Sequence, residues 1–542
     1  MASLGTFWRT VRHLRRQQLL GRVHFKLSRP RPDVRPGPLA RLGVGKIALP
    51  ARRAASLLGP TLFNLLSVQH DLNQVGWDNP SLDLLWRYHQ HYFDDLNADA
   101  AESRTAWHSA LVQRWIDENP PARGTGWSPY PLSIRIVNWI KWFRRDQSPD
   151  PKWLQSLATQ ARWLSKRLEW HLLGNHLFMN AKALVYAGLF FAGDEADQWL
   201  KLGTQILLRE LPEQILADGG QFERSPMYHA LALEDLLDLL NLLSGVAAPI
   251  GVLRELQSAL RLRSQAMLFW LRCMSHPDGS LSLFNDTAQG IAPVNGEIER
   301  LAAELGVHAG SPAAEGLTYL AHSGYLRLAR GSAVALIDLA PVGPDYLPGH
   351  AHADTLSFEM SLRGRQVIVN RGTSVYGTGA RRLLERGTAA HSTVQIGHHD
   401  SSEVWSGFRV GRRAYPVDLK VSDDGISGSH DGYRFLPGRP RHRRLWRLQG
   451  NELSVDDWVE GGAGDAVARY HLDPGLRALP DGRGGWQVLD GATAVAAVEV
   501  QGGSTVVEYW QHARGFGQLV PAQTLTVALA HGHASTRWTW GD

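Results

Sequence analysis

The chain has 542 residues and a mass of 60.1 kDa, more than one hydrophobic core usually organises, so at least two domains are expected. Hydrophobic residues make up 44% and charged residues 20%, which excludes a disordered or fibrous chain. The single cysteine, Cys273, excludes an internal disulfide framework and a multi-cysteine metal cluster, while 57 Lys and Arg against 52 acidic residues, with a pI near 9.3, favour an acidic partner: nucleic acid, anionic lipid or acidic polysaccharide.

Residues 1–40 hold nine basic residues (Arg9, Arg12, Arg15, Arg16, Arg22, Lys26, Arg29, Arg31 and Arg35) and one acid, Asp33. Leu19 and Leu20 are followed at once by Gly21 and Arg22, which breaks the apolar stretch that a secretory signal requires. Two readings stay open for residues 1–59: a solvated basic arm packed on the next domain, or a basic amphipathic helix in peripheral contact with an anionic membrane. The run Ala183 to Ala192 is too short to cross a bilayer, so no transmembrane span is expected. Cytoplasm and periplasm both stay open, and oligomeric state is not readable.

From residue 60 to 315 apolar residues recur at helical spacing. The pattern predicts helices over Leu82–Leu96, Thr105–Glu118, Leu132–Phe143, Trp153–Leu172, Leu177–Phe191, Asp194–Glu210, Ala230–Leu243 and Val252–Met274. Antiparallel helices joined by short loops suggest a toroid or solenoid, with no fixed-period repeat. After Gly316 the pattern alternates with period two, as in "TYLAHSGYLRLARGSAVALIDLAP", and "LSFEMSLRGRQVIVN" reads as two strands around Arg363-Gly364-Arg365. Residues 316–542 are therefore expected to form an antiparallel sandwich of two stacked sheets. Most of the 20 Trp read as core, although Trp faces also stack on sugars and bases.

Four segments concentrate chemistry. Asn175 and His176 precede an apolar helix, where Asn is also a natural N-cap. Glu223, Arg224, Tyr228 and His229 crowd into seven residues beside the Gly219-Gly220 turn, where Glu223–Arg224 also reads as a structural ion pair. His350, His352 and Asp354 alternate just before a strand, so extended backbone points all three the same way, as a metal or acid–base site needs. Asn370, Tyr376, Arg381, Arg382, Arg386 and His391 follow, an Arg-rich loop suited to carboxylates or sulfates.

Together these segments resemble the heparinase II/III-like family of polysaccharide lyases. "LWRYHQHYFDDL" and "GWSPYPLSIRIVNWIKW" look like that family's helical domain. "GHAHADTLSFEMSLRGRQVIVNRGTSVY", "RRLLERGTAAHSTVQIGHHDSSEVW" and "ARYHLDPG" look like its β domain. The resemblance implies an α+β multidomain chain: an incomplete (α/α) toroid over 60–315, then a β-sandwich over 316–542, with the cleft between them. It also implies cleavage beside a uronic acid by β-elimination in an acidic polysaccharide; nucleic acid is not expected as a partner, since the sequence carries no dedicated recognition motif for it. By analogy Asn175 donates to the substrate carboxylate and His176 assists. Tyr228 protonates the leaving oxygen and for one epimer also acts as base, with a cation such as Arg224 lowering its pKa. His350 is the base on the opposite face. Glu223 and Arg224 bind substrate, Arg135 and Asn138 line the helical wall, and Arg381 and Arg386 reach in from the β side. Some relatives hold a structural divalent metal, zinc or calcium, on His, Asp and His. The matching positions are His352, Asn370 and His391, where Asn370 replaces the acidic ligand and Ser392 replaces the usual Asn.

Two other readings compete: a non-catalytic glycan-binding or exopolysaccharide-assembly protein that kept the fold, and a glycoside hydrolase using Asp218 and Glu223 as its carboxylate pair.

Overall fold

A computed structural model describes residues 3–41, 47–145, 149–246, 249–422, 425–462 and 465–541. Two short helices, α1 (Leu4–Val11) and α2 (Arg16–Leu27), precede an antiparallel hairpin of Leu62–Leu65 with Val68–Asp71. There follow α3 (Leu72–Val75), α4 (Leu84–Gln90), α5 (Thr105–Glu118), α6 (Pro129–Phe143), α7 (Pro151–Ser165), α8 (Gly174–Phe190), α9 (Asp194–Gln214), α10 (Pro226–Ser244), α11 (Val252–Cys273) and α12 (Asn295–Glu304). The expected incomplete toroid is thus formed by antiparallel helix pairs. The hairpin and α12 were not foreseen, and the run expected over Leu82–Leu96 breaks where Phe93 takes a left-handed φ of 61°.

Helix α8 is buried on almost every side, which marks it as the central helix. It packs on α6, α7 and α9. Its closest approach to α9 needs two glycines: a Cβ on Gly188 would sit 2.6 Å from Leu200 N, and one on Gly203 would sit 2.7 Å from Ala181 O. Indole rings fill the layer behind, where Trp115 meets Trp139 edge-on and Phe143 stacks on Trp153. Polar ties cross the inner helices as well: Asp238 of α10 accepts from Lys141 of α6 at 2.5 Å and from Lys182 of α8 at 2.6 Å.

The sheet half begins at Gly316. Among the described residues a nine-stranded antiparallel sheet contains Gly316–Leu320, Tyr325–Arg330, Ala333–Asp338, Phe358–Leu362 and Arg365–Val369, continued by Ala466–Leu472, Gln518–Leu529 and Gly503–Gly515. An eight-stranded sheet packs over it around Trp446, Trp538, Phe358, Tyr470 and Leu525. The tight turn at Arg363-Gly364 has φ of 50° and 78°, the positive pair that two-residue hairpins require. The Arg-rich segment expected as a loop instead carries a helix, α13 (Ala380–Arg386).

A buried polar seam joins the halves. Ser323 accepts from Trp270 Nε1 through its Oγ and from Arg224 Nε through its carbonyl, at 2.9 Å each, and its N–H donates to Asp218 at 2.7 Å. His276 bonds Glu359 at 2.8 Å, with both side chains fully buried.

The Gly188–Leu200 approach leaves no room for a branched side chain. Gly188→Val is expected to cost about 3 kcal/mol, the upper end of overpacking, read as a lower urea midpoint by circular dichroism. An unchanged midpoint would mean the α8–α9 contact is looser than described.

Candidate active site

The cleft between the helical and sheet halves spans about 1170 Å³ and opens to solvent. Its walls include Asn138, Asn175, Gln221, Tyr228 and Asp235 from the helices, and Tyr376 and Phe516 from the sheet half.

Backbone strain sets Asn175. Leu173 and Gly174 take φ of 63° and 54°, and the turn they make starts α8. Asn175 therefore sits inside the first turn and is not the N-cap, a place taken by Leu173. Gly174 is needed there, since a Cβ would lie 2.5 Å from Leu347 Cδ2 of the sheet half. Tyr228 stands in the first turn of α10, where Ser225 Oγ caps its N–H at 3.2 Å and donates to Asp286 O at 2.6 Å.

Asp286 is the hub of the site and is fully buried. Its Oδ2 meets His350 Nδ1 at 2.9 Å and its Oδ1 meets His352 Nε2 at 2.7 Å. Arg382 grips the same carboxylate with two nitrogens, Nη2 at 2.6 Å from Oδ2. Burial pushes the Asp286 carboxyl up, but the Arg382 charge and the two imidazole bonds overcome it and hold the group well below the usual carboxylate range. A charged acceptor on Nδ1 fixes the tautomer of the neutral His350 ring, in which Nδ1 carries the proton and Nε2 is the acceptor nitrogen. That Nε2 lies 3.8 Å from Glu223 Oε2.

The Tyr228 and His350 rings stack with centroids 3.8 Å apart, and the Tyr228 hydroxyl lies 3.1 Å from the Tyr376 hydroxyl. No sugar ring fits between two rings at that spacing. The expected placement of Tyr228 and His350 on opposite faces of the substrate therefore does not hold in this conformation. Burial pushes the phenols of Tyr228 and Tyr376 well above their usual pKa, which keeps both as proton donors. Burial also raises the Glu223 carboxyl, though neighbouring imidazoles and Gln221 offset part of this.

Several expected binding residues serve the scaffold instead. Arg135 is wholly buried, donates to Gln160, His91 O and Gly126 O, and lies over the Trp115 ring. Arg224 turns away to the Ser323 carbonyl, so it gives the Tyr228 phenol no cationic help. Arg386 donates twice to Ala351 O, bracing the backbone between His350 and His352. Arg381 lies near Glu385, outside the cleft lining. Asn138 does line the cleft, but its amide is spent on Tyr92 O and Asp94. His176 forms a 3.2 Å ion pair with Glu169 and rests on the Tyr130 ring. Asp354 leaves the His350–His352 face to accept from the Asn285 N–H at 3.0 Å. Asp218 is committed to Ser323, which removes the carboxylate pair a glycoside hydrolase would need.

Asp286 is not among the candidates read from sequence, and Tyr376 and Arg382 are named there only as members of the Arg-rich segment, without a role. Tyr376 and Arg382 lie in the Arg-rich segment, but which arginine faces inward follows from the turn of α13. Asp286 lies in "LFNDT", where nothing in spacing or composition singles it out.

The expected metal ligands form a poor donor set. His352 Nδ1 lies 3.3 Å from His391 Nε2, and burial lowers both imidazoles, His352 to about 4. Asn370 Oδ1 already accepts from the Ser392 N–H at 3.0 Å. Among the described residues no group of three His, Cys, Asp or Glu gathers around one point. Two neutral imidazoles and an engaged amide give a divalent cation no charge compensation, so these residues do not fit a zinc or calcium centre.

The family model described as Heparinase II/III N-terminus matches residues 87–300, and the one described as Heparinase II/III-like, C-terminal matches residues 312–540. A heparin-sulfate lyase of Bacteroides stercoris is 24% identical over 459 residues, covering 75% of this chain and 66% of that protein. FtsZ-localized protein C of Caulobacter vibrioides is 29% identical over 351 residues, covering 59% of this chain and 57% of that protein. The chain thus spans 57% to 66% of the length of these two relatives. A crystal structure of heparinase III shares the fold, with a TM-score of 0.66 at 18% identity over 84% of this chain and 77% of that one.

Neutralising the hub strands the Arg382 charge. Asp286→Asn is expected to cost about 3–5 kcal/mol, as for a broken buried ion pair, and Arg382→Met in the same chain to restore part of it. Because the folded carboxyl titrates low, this stabilisation is complete above the ordinary carboxylate pKa of about 4 and is lost as pH falls further. The difference in urea midpoint between wild type and Asp286→Asn should therefore narrow in acid. A gap that widened in acid would contradict the assignment.

Proposed function

The chain belongs to the heparinase II/III-like family, and on that premise we propose that it is a polysaccharide lyase cutting a uronate-containing acidic polymer by β-elimination. One observation carries the reading: a phenol from the helical half lies against an imidazole from the sheet half, with Asn175 on the wall of the same cleft. A non-catalytic glycan-binding role is not favoured, because this acid–base pair is intact and built on a dedicated buried carboxylate.

The chemistry must remove a weakly acidic C5 proton beside a carboxylate and expel the O4 oxygen. In this reading the Asn175 amide donates to the substrate carboxylate and blunts its charge. The Nε2 of His350 takes the C5 proton while Asp286 stabilises the resulting imidazolium. The electron pair of the C5–H bond becomes the C4=C5 double bond as the C4–O4 bond breaks. Tyr228 gives its phenolic proton to O4, and the proton on His350 then restores the phenol. No water is consumed. Because Tyr228 and His350 stack in this conformation, one of the two rings must swing aside for a sugar to lie between them, while His350 keeps its bond to Asp286.

Charge also bears on the polymer. Among the described residues, Arg53, Lys141 and Lys182 are the Lys and Arg side chains that line the cleft. Arg53 grips Glu234 at 2.6 Å, Lys141 holds Asp238 at 2.5 Å, and Lys182 holds Asp235 at 2.7 Å. None is left to pair with a sulfate, and removing a cation from its carboxylate would leave the acid unpaired. This supports a polymer with carboxylates but few sulfates.

Incubation with a panel of uronate polymers, read by the ultraviolet absorbance of the unsaturated product, tests the reading. Tyr228→Phe is expected to lower turnover by about 10²–10⁴-fold with an unchanged circular dichroism spectrum; near-normal turnover would refute the role. Chemically desulfated substrate should be cut faster than its sulfated parent, and the reverse order would sink the charge argument.

A further inference from the structure

The first two helices are packed inside out. A surface helix normally turns its apolar stripe to the protein and its polar side to water. In α1 the buried residues are Thr6 and Thr10. Thr6 Oγ1 and Arg9 donate to Glu403, and Thr10 Oγ1 accepts from Trp405 Nε1 at 3.0 Å. The opposite side carries Leu4, Phe7 and Trp8, with Leu4 90% and Trp8 65% exposed. Among the described residues no other tryptophan is exposed.

Helix α2 repeats the arrangement. Its buried residue is Gln18, whose amide donates to Tyr346 O, while Arg15 pairs with Glu213 and lies over the Tyr346 ring. Gly21 rests on the His171 backbone, and Arg167 donates to Phe25 O. Leu19, Leu20, Val23 and Leu27 face out, Leu20 at 71% and Leu27 at 75% exposure. A lone exposed leucine needs no explanation, but seven large apolar side chains on the outer sides of two consecutive helices do.

Charge identifies what covers them. Arg12, Arg16, Lys26, Arg29 and Arg31 are exposed and, among the described residues, join no ion pair. The sole acid between residues 3 and 40, Asp33, is engaged by Arg35 at 2.7 Å. A second copy of the chain meeting this face through a two-fold axis would set these cations against one another. An anionic surface would not.

We propose that α1 and α2 form a peripheral docking surface for an anionic lipid bilayer. The two helices lie along the headgroup region, with Leu4, Phe7, Trp8, Leu20 and Leu27 reaching the acyl boundary and the arginines meeting lipid phosphates. At about 1.5 Å per residue the helices are far too short to span the bilayer, so the contact is interfacial. The polar sides of the two helices are already tied to the rest of the molecule, α1 to the sheet half through Glu403 and Trp405, and α2 to both halves through Tyr346, Glu213 and His171. Docking would thus hold the whole molecule, independently of what the cleft cleaves.

The test is co-sedimentation of the full chain with vesicles of phosphatidylcholine alone and of equimolar phosphatidylcholine and phosphatidylglycerol. Two double variants accompany it: Trp8→Glu with Leu20→Glu, and Arg12→Glu with Arg16→Glu. Wild type should sediment with the anionic vesicles, less so at high salt, and weakly with the neutral ones. Each double variant should lower the partition coefficient at least about tenfold, since one basic residue near an anionic surface accounts for roughly fivefold. Circular dichroism and polymer cleavage in solution should not change. Absence of binding to anionic vesicles, or equal binding by wild type and both variants, would overturn the proposal. So would a wild-type dimer in analytical ultracentrifugation that Trp8→Glu with Leu20→Glu splits without any vesicle binding.

Discussion

The site depends on one buried ion pair. Asp286 and Arg382 come from opposite halves of the molecule, both without solvent exposure. Two buried charges are costly to desolvate and are tolerated only when every lone pair and proton finds a partner. Here the carboxylate takes two guanidinium nitrogens and two imidazoles, and its backbone carbonyl takes the cap of the helix that carries Tyr228. One residue thus fixes the tautomer of His350, the position of His352 and the start of α10. The join between the domains and the support of the Tyr228–His350 stack are the same structure.

This construction separates the roles of similar groups. Burial acts alike on Asp286, Glu223 and Tyr228, penalising each charged form. Arg382 reverses the effect at Asp286, whereas Glu223 and Tyr228 have no guanidinium partner and stay biased towards their protonated forms. A buried carboxylate held charged, with a protonated phenol and an imidazole close by, suits a reaction that moves one proton off carbon and another onto oxygen. The same principle explains the cleft's cations: Arg53, Lys141 and Lys182 are committed to carboxylates and act as wall more than as bait.

Sequence periodicity served well where neighbours are local. Thr105–Glu118 was expected and found with the same bounds, and the strands around Arg363-Gly364 follow from a turn whose φ values glycine and its neighbour can adopt. Boundaries failed where a single backbone angle decided them, as at Phe93 before the 3₁₀ turn of Asp94–Asn97. Arginine was the least legible residue type. Arg135, Arg224 and Arg386 were read as substrate contacts, yet each donates to backbone carbonyls within the fold, because a five-donor fork satisfies buried carbonyls as readily as it binds an anion. The residues at the positions where the resemblance implies a metal make a poor donor set for a related reason: one of them is an amide whose oxygen is already in use.

The amino-acid sequence alone determined the order of architectures, helices then sheets, and it singled out Asn175 and Tyr228, which line one cleft, and His350, which stacks on Tyr228. It could do so because period and residue chemistry are local properties of the chain. Tertiary structure decided which charges face each other: the pairing of Asp286 with Arg382, 96 residues apart, and the outward turn of the apolar sides of α1 and α2. Both follow from long-range contact, where the energy of a buried charge or an exposed leucine depends on what the fold brings against it and not on its neighbours in sequence.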